Sequence, residues 1–325
     1  MRGWLAHSRL LPAWCLIASF GAYACMYGLR KPFTAGSYVD EPFGEGFKAW
    51  LVTSQVLGYT ISKLLGIRVI ASLPPHRRVG TLLLLLALAE TTLVLFAVTP
   101  RPLNIVCLFL NGLPLGLVFG LVLGFLEGRR MTEAFVAGLC ASFILADGFS
   151  KTVGSKLLAL GVEERWMPAA AGTLFLLPLL GFVAMLACIP PPSPDDVAAR
   201  SERSPMSSED RLRWLRRHGT GLAAIVFAYL LITILRSLRA DFAPELWKAL
   251  GVEGQSAVFT RSELWVALGV VTLNGSVESG SGFLGYFQAL AWIIAGLAGL
   301  SLAVAWWRFT GRRVTLRQFN HPSPA

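Results

Sequence analysis

The stretch that decides the fold is residues 20–36, FGAYACMYGLRKPFTAG, in which an apolar run carries Arg30 and Lys31 before it ends. A helix that rises about 1.5 Å per residue from Leu10 places Arg30 about 30 Å along its axis, at the far edge of the hydrocarbon of a bilayer. Two interpretations follow. The cations either reach the interface from a helix end or lie inside the membrane protein, where a charge requires a partner or water.

The composition predicts a polytopic helical membrane protein. The 325 residues are 54% hydrophobic and only 15% charged, and the mean hydropathy is +0.60. Soluble domains are typically about 45–50% apolar and about 25% charged. The net charge of +10 does not indicate nucleic-acid binding, because the basic residues cluster in short loops between apolar runs, as membrane topology requires.

The first 190 residues predict a complete bundle of six spans. Their expected bounds are residues 10–36, 50–73, 79–99, 103–126, 134–160 and 168–189. Basic turns separate them on alternate sides, the clearest being PPHRR at residues 74–78. In the fourth span glycine recurs every four residues, at Gly112, Gly116, Gly120 and Gly124. Such a smooth face predicts close approach of a neighbouring helix.

The remainder predicts an incomplete second half. Residues 191–217 form a polar, basic linker with a short surface helix at 208–217, and 218–310 form the second transmembrane half, followed by a tail at 311–325. Spans are expected at 220–242 and 283–307. The apolar run 264–277 is shorter than the roughly 20 residues that a span needs, so we interpret it as truncated or re-entrant. About eight spans result, six plus two, with both termini cytoplasmic by the positive-inside rule.

Three motifs carry a family resemblance. Residues 23–33, YACMYGLRKPF, are similar to the first-helix signature of the organophosphate:phosphate antiporters of the major facilitator superfamily. Residues 55–63, QVLGYTISK, resemble the glycine, aromatic, serine, lysine pattern of that family's second helix, with one added residue. Residues 229–236, followed by Asp241 and Pro244, resemble the segment around its second binding arginine.

The resemblance implies an all-α bundle of major-facilitator type and a site for a phosphorylated anion. Arg30 and Arg236 would be the two phosphate-binding arginines, and Lys63 would be a supporting cation. We add Lys31, Tyr27 and Tyr59 to the expected substrate-binding residues. Independently of the family, two arginines from opposite halves suit an oxyanion, because a planar guanidinium donates two parallel hydrogen bonds to phosphate.

The chain departs from that family in three places. The aspartate that usually precedes the basic pair between spans 2 and 3 is absent, which leaves the cytoplasmic gate in question. The histidine of the fifth span is absent as well, with Asp147 near its place. Twelve spans are usual, so helices 9 to 11 and part of the eighth have no counterpart among the eight expected here.

Several alternatives stay open at this point. Asp147 and Lys151, four residues apart, either neutralise each other or supply a coupling carboxylate. Arg30 could pair with Asp147, and Arg236 with Asp241, purely for structure. An intramembrane enzyme lacks support, because all four histidines lie in loops or termini.

The sequence therefore predicts a secondary-active carrier of a small organic anion, in which a phosphate ester is the candidate, working by alternating access in the inner membrane. No enzyme activity, cofactor, metal or nucleic acid is expected. The five cysteines form no CxxC pair and are expected to be small buried hydrophobes. The expected partners are the anion, the bilayer and a chain that covers the incomplete half. A sensor, an accessory protein or an inactive truncated carrier is the alternative.

Overall fold

The computed structural model describes residues 10–38, 46–129, 132–194, 196, 208–251 and 257–278. These residues are helical, with no strand among them. The α-helices of the described ranges are α1 Leu11–Tyr27, α2 Phe47–Ser72, α3 Arg78–Val98, α4 Asn104–Leu126, α5 Thr132–Ala159, α6 Met167–Ala187, α7 Ser208–Asp241, α8 Ala243–Ala249 and α9 Ala257–Glu278. Short 3₁₀ helices cover Pro32–Ala35 and Pro75–Arg77.

Within the described part of the chain, four stretches of helix are long and apolar enough to cross a membrane. They are Pro75–Val98, Asn104–Leu126, Met167–Ala187 and Leu212–Asp241. Helices α2 and α5 have sufficient length, 26 and 28 residues, but they carry charges such as Lys63 and Asp147 that lower their hydropathy. Helix α1 is apolar but has only 17 residues.

The chain divides into two compact units, Met1–Ala267 and Leu268–Ala325. Helices α1 to α8 and the beginning of α9 belong to the first unit, which contains every contact discussed below. In the second unit the described residues are 268–278. The expected span at 283–307 and the expected tail at 311–325 lie outside the described residues, as does most of the expected linker.

The first expected span differs from the structure, because its α-helix ends at Tyr27 and not near Gly36. Gly28 has no side chain and Phe175 of α6 occupies the position that a Cβ would take. The backbone then follows tighter i to i+3 hydrogen bonds, from Leu29 N to Met26 O and from Arg30 N to Tyr27 O. Pro32, which cannot donate a backbone hydrogen bond, begins the 3₁₀ turn. Arg30 and Lys31 therefore lie on an irregular segment between two helices.

Two boundaries in the second half also differ from the expectation. The surface helix expected at 208–217 and the span expected at 220–242 form one continuous helix, α7, of 34 residues. No proline interrupts residues 208–241, and glycine alone is tolerated within a helix. The truncated segment expected at 264–277 belongs to α9, which has 22 residues. Its first two turns, AVFTRSE, mix apolar and polar residues, so local hydropathy does not extend the apolar run into them. Contacts to α5 and α7 stabilise these turns: Thr260 bonds Thr152 at 2.7 Å, and Glu263 pairs with Arg239.

The glycine face predicted on α4 is confirmed. A Cβ on Gly112 would collide with the backbone of Gln55 and Tyr59, and one on Gly116 with Tyr59 and Ser62, all on α2. Gly120 and Gly124 instead face the side chains of Ile70 and Arg78. The absence of side chains thus lets α2 and α4 pack with their backbones in contact, as small residues permit in membrane helices.

We expect Gly112→Ala to lower the free energy of unfolding by about 1–3 kcal/mol, the usual cost of overpacking, because the rigid α2 backbone cannot move aside. Gly181→Ala on α6 is the matched control, since a Cβ there meets nothing within 4 Å, and it should be neutral or slightly stabilising. Thermal unfolding of the purified protein in detergent compares the two. Equal melting temperatures would contradict the backbone contact.

Candidate functional site

The site is assembled around Lys31, in the segment that follows α1. The Lys31 ammonium donates to the carboxylate of Asp241, at the end of α7, and lies 3.9 Å from Asp147 Oδ1 on α5. Lys31 and Asp241 are 7% and 2% exposed, so the pair is withdrawn from solvent. This contact joins the six-helix bundle to α7.

Lys151 extends the ion pair into a chain of four charges. Its ammonium donates to Asp147, one helical turn away on α5. The order is Asp241, Lys31, Asp147, Lys151, in which cations and carboxylates alternate. The four charges sum to zero, which is how charges persist in an apolar interior.

A second buried cation joins the same two parts of the protein. Lys48, at the start of α2, is 2% exposed. Its ammonium donates to Glu245 Oε1 on α8 at 2.5 Å and to the carbonyl of Thr34 at 2.7 Å. The turn between α7 and α8 is thus attached to the bundle at Lys31 and at Lys48.

The loop after the 3₁₀ turn is fixed by Glu164, in the turn between α5 and α6. The Glu164 carboxylate accepts hydrogen bonds from the backbone N–H groups of Ser37 at 2.8 Å and Tyr38 at 3.1 Å. The Tyr38 ring is fully buried, and burial raises the pKa of its hydroxyl. The segment that carries Arg30 and Lys31 is therefore held from both ends.

Arg30 has an aromatic environment instead of a carboxylate partner. Its guanidinium carbon lies 3.8 Å from the centroid of the Tyr59 ring and 5.6 Å from that of Tyr27, both within the range of cation–π attraction. The Nε atom of Arg30 is buried and donates to no described residue. A buried donor without an acceptor is costly and unusual, so this guanidinium is a candidate for binding a ligand.

A polar network behind Arg30 fixes its backbone. Gln55 of α2 donates through Nε2 to the carbonyl of Arg30 at 3.0 Å and to Asn111 Oδ1 on α4 at 2.8 Å. Asn111 in turn donates to the Ala89 carbonyl on α3 at 3.0 Å. Asn111 thus connects α4 to both α2 and α3. Since both amides are buried and satisfied, the position of Arg30 relative to α2, α3 and α4 is well determined.

Tyrosine rings connect Arg30 to the other predicted cations. Lys63 Nζ lies 4.7 Å from the centroid of Tyr59, and the hydroxyl of Tyr59 is 3.4 Å from that of Tyr23. Arg236, on α7, lies with its guanidinium carbon 4.9 Å from the ring centroid of Phe143. Phe143 in turn packs against Tyr23, with the ring centroids 6.4 Å apart. The predicted residues from the two halves thus lie around one group of aromatic rings.

The distribution of charge differs from the expectation in one respect. Lys31, expected to bind substrate, is already held by two carboxylates. The alternative in which Arg30 pairs with Asp147 and Arg236 with Asp241 is not found among the described ion pairs, because Lys31 contacts both carboxylates. Arg30, Lys63 and Arg236 form no ion pair with a described carboxylate.

Sequence reasoning missed Gln55, Tyr23, Lys48 and Glu245 as parts of this region. A polar Gln55 one turn before Tyr59 in an apolar helix was a usable signal, because buried amides require partners. Lys48 and Glu245 gave no such signal, since both flank apolar runs, where charged residues are common. No group of three or more His, Cys, Asp or Glu side chains in the described part of the chain is placed to hold a metal ion.

Comparison with known proteins places the chain in a family. A sequence profile described as a family of unknown function, DUF5690, matches residues 32–314. The chain belongs to this family. The match includes Tyr59, Asp147, Arg236 and Asp241 and begins two residues after Arg30. No curated protein and no solved structure matches the chain.

We expect Asp241→Asn to destabilise the contact between α7 and the bundle, because Lys31 would lose its direct partner while buried. Breaking a buried ion pair costs about 3–5 kcal/mol, and the loss should lie at the lower end of that range because Asp147 stays near. Thermal unfolding of the purified protein is the measurement.

The double variant Lys31→Met/Asp241→Leu is the informative companion. It removes both charges together, so its stability should lie closer to wild type than that of Asp241→Asn. Glu163→Gln, which breaks the exposed pair with Arg165, should change stability by less than about 1 kcal/mol. A double variant no more stable than Asp241→Asn would argue against a buried pair.

Proposed function

We propose that the protein is a secondary-active membrane carrier of a small organic anion, with a phosphate ester as the candidate substrate. The single observation that carries the proposal is that Arg30, Lys63 and Arg236 lie around one group of aromatic rings, those of Tyr59, Tyr23 and Phe143, without a described carboxylate partner. Membrane-embedded cations are costly unless paired or hydrated. An anion that enters from water would supply the missing partner.

The geometry of Arg30 favours an oxyanion over a simple halide. Its guanidinium is planar and keeps a free buried Nε–H, and Gln55 fixes the backbone beneath it. A phosphate or carboxylate can accept two parallel hydrogen bonds from such a group. Lys63 adds a point charge and Arg236 a second guanidinium, so an anion with more than one negative charge is favoured.

The way in which α7 contacts the bundle supports alternating access. Its described ion pairs with the bundle and those of α8 lie at one end, through Asp241 and Glu245. No residue is buried in the apolar 18-residue stretch within Leu212–Asp241. In a carrier of major-facilitator type with about eight spans, α7 would stay in contact with the bundle at this end and separate from it at the other. The site would then be open to one side of the membrane.

On this proposal the carrier lies in the inner membrane with both termini cytoplasmic, as the basic loops favour. A non-transporting sensor built on the same bundle is the second candidate, because it needs the anion site, including Arg236 of α7, but no complete second half. Binding and exchange measurements separate the two.

We expect inorganic phosphate or a simple alkyl phosphate to raise the melting temperature of the purified protein. Arg30→Lys should weaken binding about 10-fold or more, because it keeps the charge and loses a charge-assisted hydrogen bond that contributes about 1.5–3 kcal/mol. Arg236→Lys should weaken binding in the same direction, because it replaces the second guanidinium by a point charge. Arg165→Lys, in an exposed turn, is the control and should bind as wild type does.

Transport is then measured in proteoliposomes loaded with unlabelled anion. Uptake of labelled phosphate or alkyl phosphate that Arg30→Lys abolishes would establish a carrier, whereas binding without exchange would favour the sensor. A well-folded protein that no phosphate stabilises, and that exchanges none, would remove the anion proposal altogether.

A further inference from the structure

We propose that the first part of α7, residues 208–221, binds the headgroups of anionic phospholipids. Its sequence is SEDRLRWLRRHGTG, and it continues without a break into the apolar part of the helix. The inference is independent of the anion site, because it requires only that α7 crosses the membrane.

The length of α7 places this segment at the membrane surface. A helix of 34 residues is about 51 Å long, whereas the hydrocarbon of a bilayer is about 30 Å thick and takes about 20 residues. Residues 222–241, which are apolar until Arg236, Arg239 and Asp241 near the far end, fill that thickness. The preceding residues therefore extend through the headgroup layer, with Arg216 and Arg217 within two turns of the hydrocarbon and Arg213 one turn further out.

Three of the four arginines of the segment share one face of the helix. Residues 213, 216 and 217 are spaced i, i+3, i+4, which confines them to an arc of about 100°. All three are exposed. Two carboxylates, Glu209 and Asp210, lie on the same face one turn further from the membrane, and Asp210 contacts Arg213 at 3.9 Å. The two arginines nearest the hydrocarbon, at 216 and 217, lie about two turns from these carboxylates and complement an anionic leaflet.

The opposite face carries groups that suit the interface between headgroups and hydrocarbon. Leu212, Trp214 and Leu215 are each about half exposed, at 50%, 48% and 50%. The Trp214 ring lies 5.4 Å from that of His218, centroid to centroid. Tryptophan concentrates at membrane interfaces because its body is apolar and its N–H is polar. Arginine on one side and Trp with Leu on the other is the pattern of a segment that binds anionic lipid.

The occupant is a lipid headgroup and not a free anion, because the continuous helix holds the arginines at the level of the lipid phosphates. A polybasic segment beside a transmembrane helix gains roughly a fivefold preference for an anionic surface per arginine. Three arginines therefore give on the order of 100-fold. This attraction falls off within a Debye length of about 8 Å at physiological salt.

The test uses the full-length protein, delipidated in detergent and titrated with phosphatidylglycerol or phosphatidylcholine. Native mass spectrometry reports bound lipid, and thermal unfolding reports stabilisation. Wild type should prefer phosphatidylglycerol, and the triple variant R213Q/R216Q/R217Q should lose on the order of 100-fold of that preference. High salt should reduce the preference of wild type in the same direction.

The matched control is K156Q/R165Q/K248Q. It also removes three positive charges, but at the end of the bundle where α5 and α8 end. It should keep the preference for phosphatidylglycerol. Equal losses in both triple variants would show a nonspecific charge effect and overturn the proposal, as would equal binding of the two lipids by wild type.

Two further experiments distinguish a lipid headgroup from a free anion as the ligand. In nanodiscs, hydrogen exchange of residues 208–221 should be slower with phosphatidylglycerol than with phosphatidylcholine, and unchanged rates would contradict the assignment. Added inorganic phosphate should not displace the lipid, because free phosphate lacks the fixed position of the membrane surface. Displacement by phosphate would show that the arginines bind free anions instead.

Discussion

The ammonium of Lys31, held between the carboxylates of Asp241 and Asp147, is the interaction on which the rest of the arrangement depends. It joins the segment that follows α1, a helix of the bundle and the end of α7 in one buried contact. In a low-dielectric interior none of these charges could remain alone without a large desolvation cost. Together with the pair of Lys48 and Glu245, it determines where the end of α7 meets the bundle.

This neutral chain of charges also determines which charged side chains remain available to a ligand. Because Asp147 and Asp241 are both engaged with lysines, neither is available to Arg30. The guanidinium instead lies on the ring of Tyr59, with Lys63 on the same ring. Aromatic rings attract a cation without cancelling its charge. Positive charge thus persists beside tyrosine hydroxyls, a combination that suits an anionic ligand and that a carboxylate partner would have removed.

The helix packing beneath the site depends on small residues and on buried amides. Gly112 and Gly116 bring the backbones of α4 and α2 together, and the same pair of helices is connected by Gln55 and Asn111. Gln55 then reaches the backbone of Arg30. The irregular segment after α1 is therefore positioned by the most closely packed helices of the bundle, which gives a functional side chain a rigid support on a non-helical backbone.

The sequence by itself determined the helical class, the approximate bounds of α2 to α6 and the glycine face of α4. These follow from local hydropathy and residue spacing. It also proposed Arg30, Arg236, Tyr27 and Tyr59 as binding residues, an assignment that stays a prediction. Only the tertiary structure decided that Lys31 pairs with Asp241, that Arg30 lies on Tyr59, and that α1 ends at Tyr27. Those facts depend on which residues of different helices meet, here 210 positions apart for Lys31 and Asp241, and local patterns carry no information about such long-range partners.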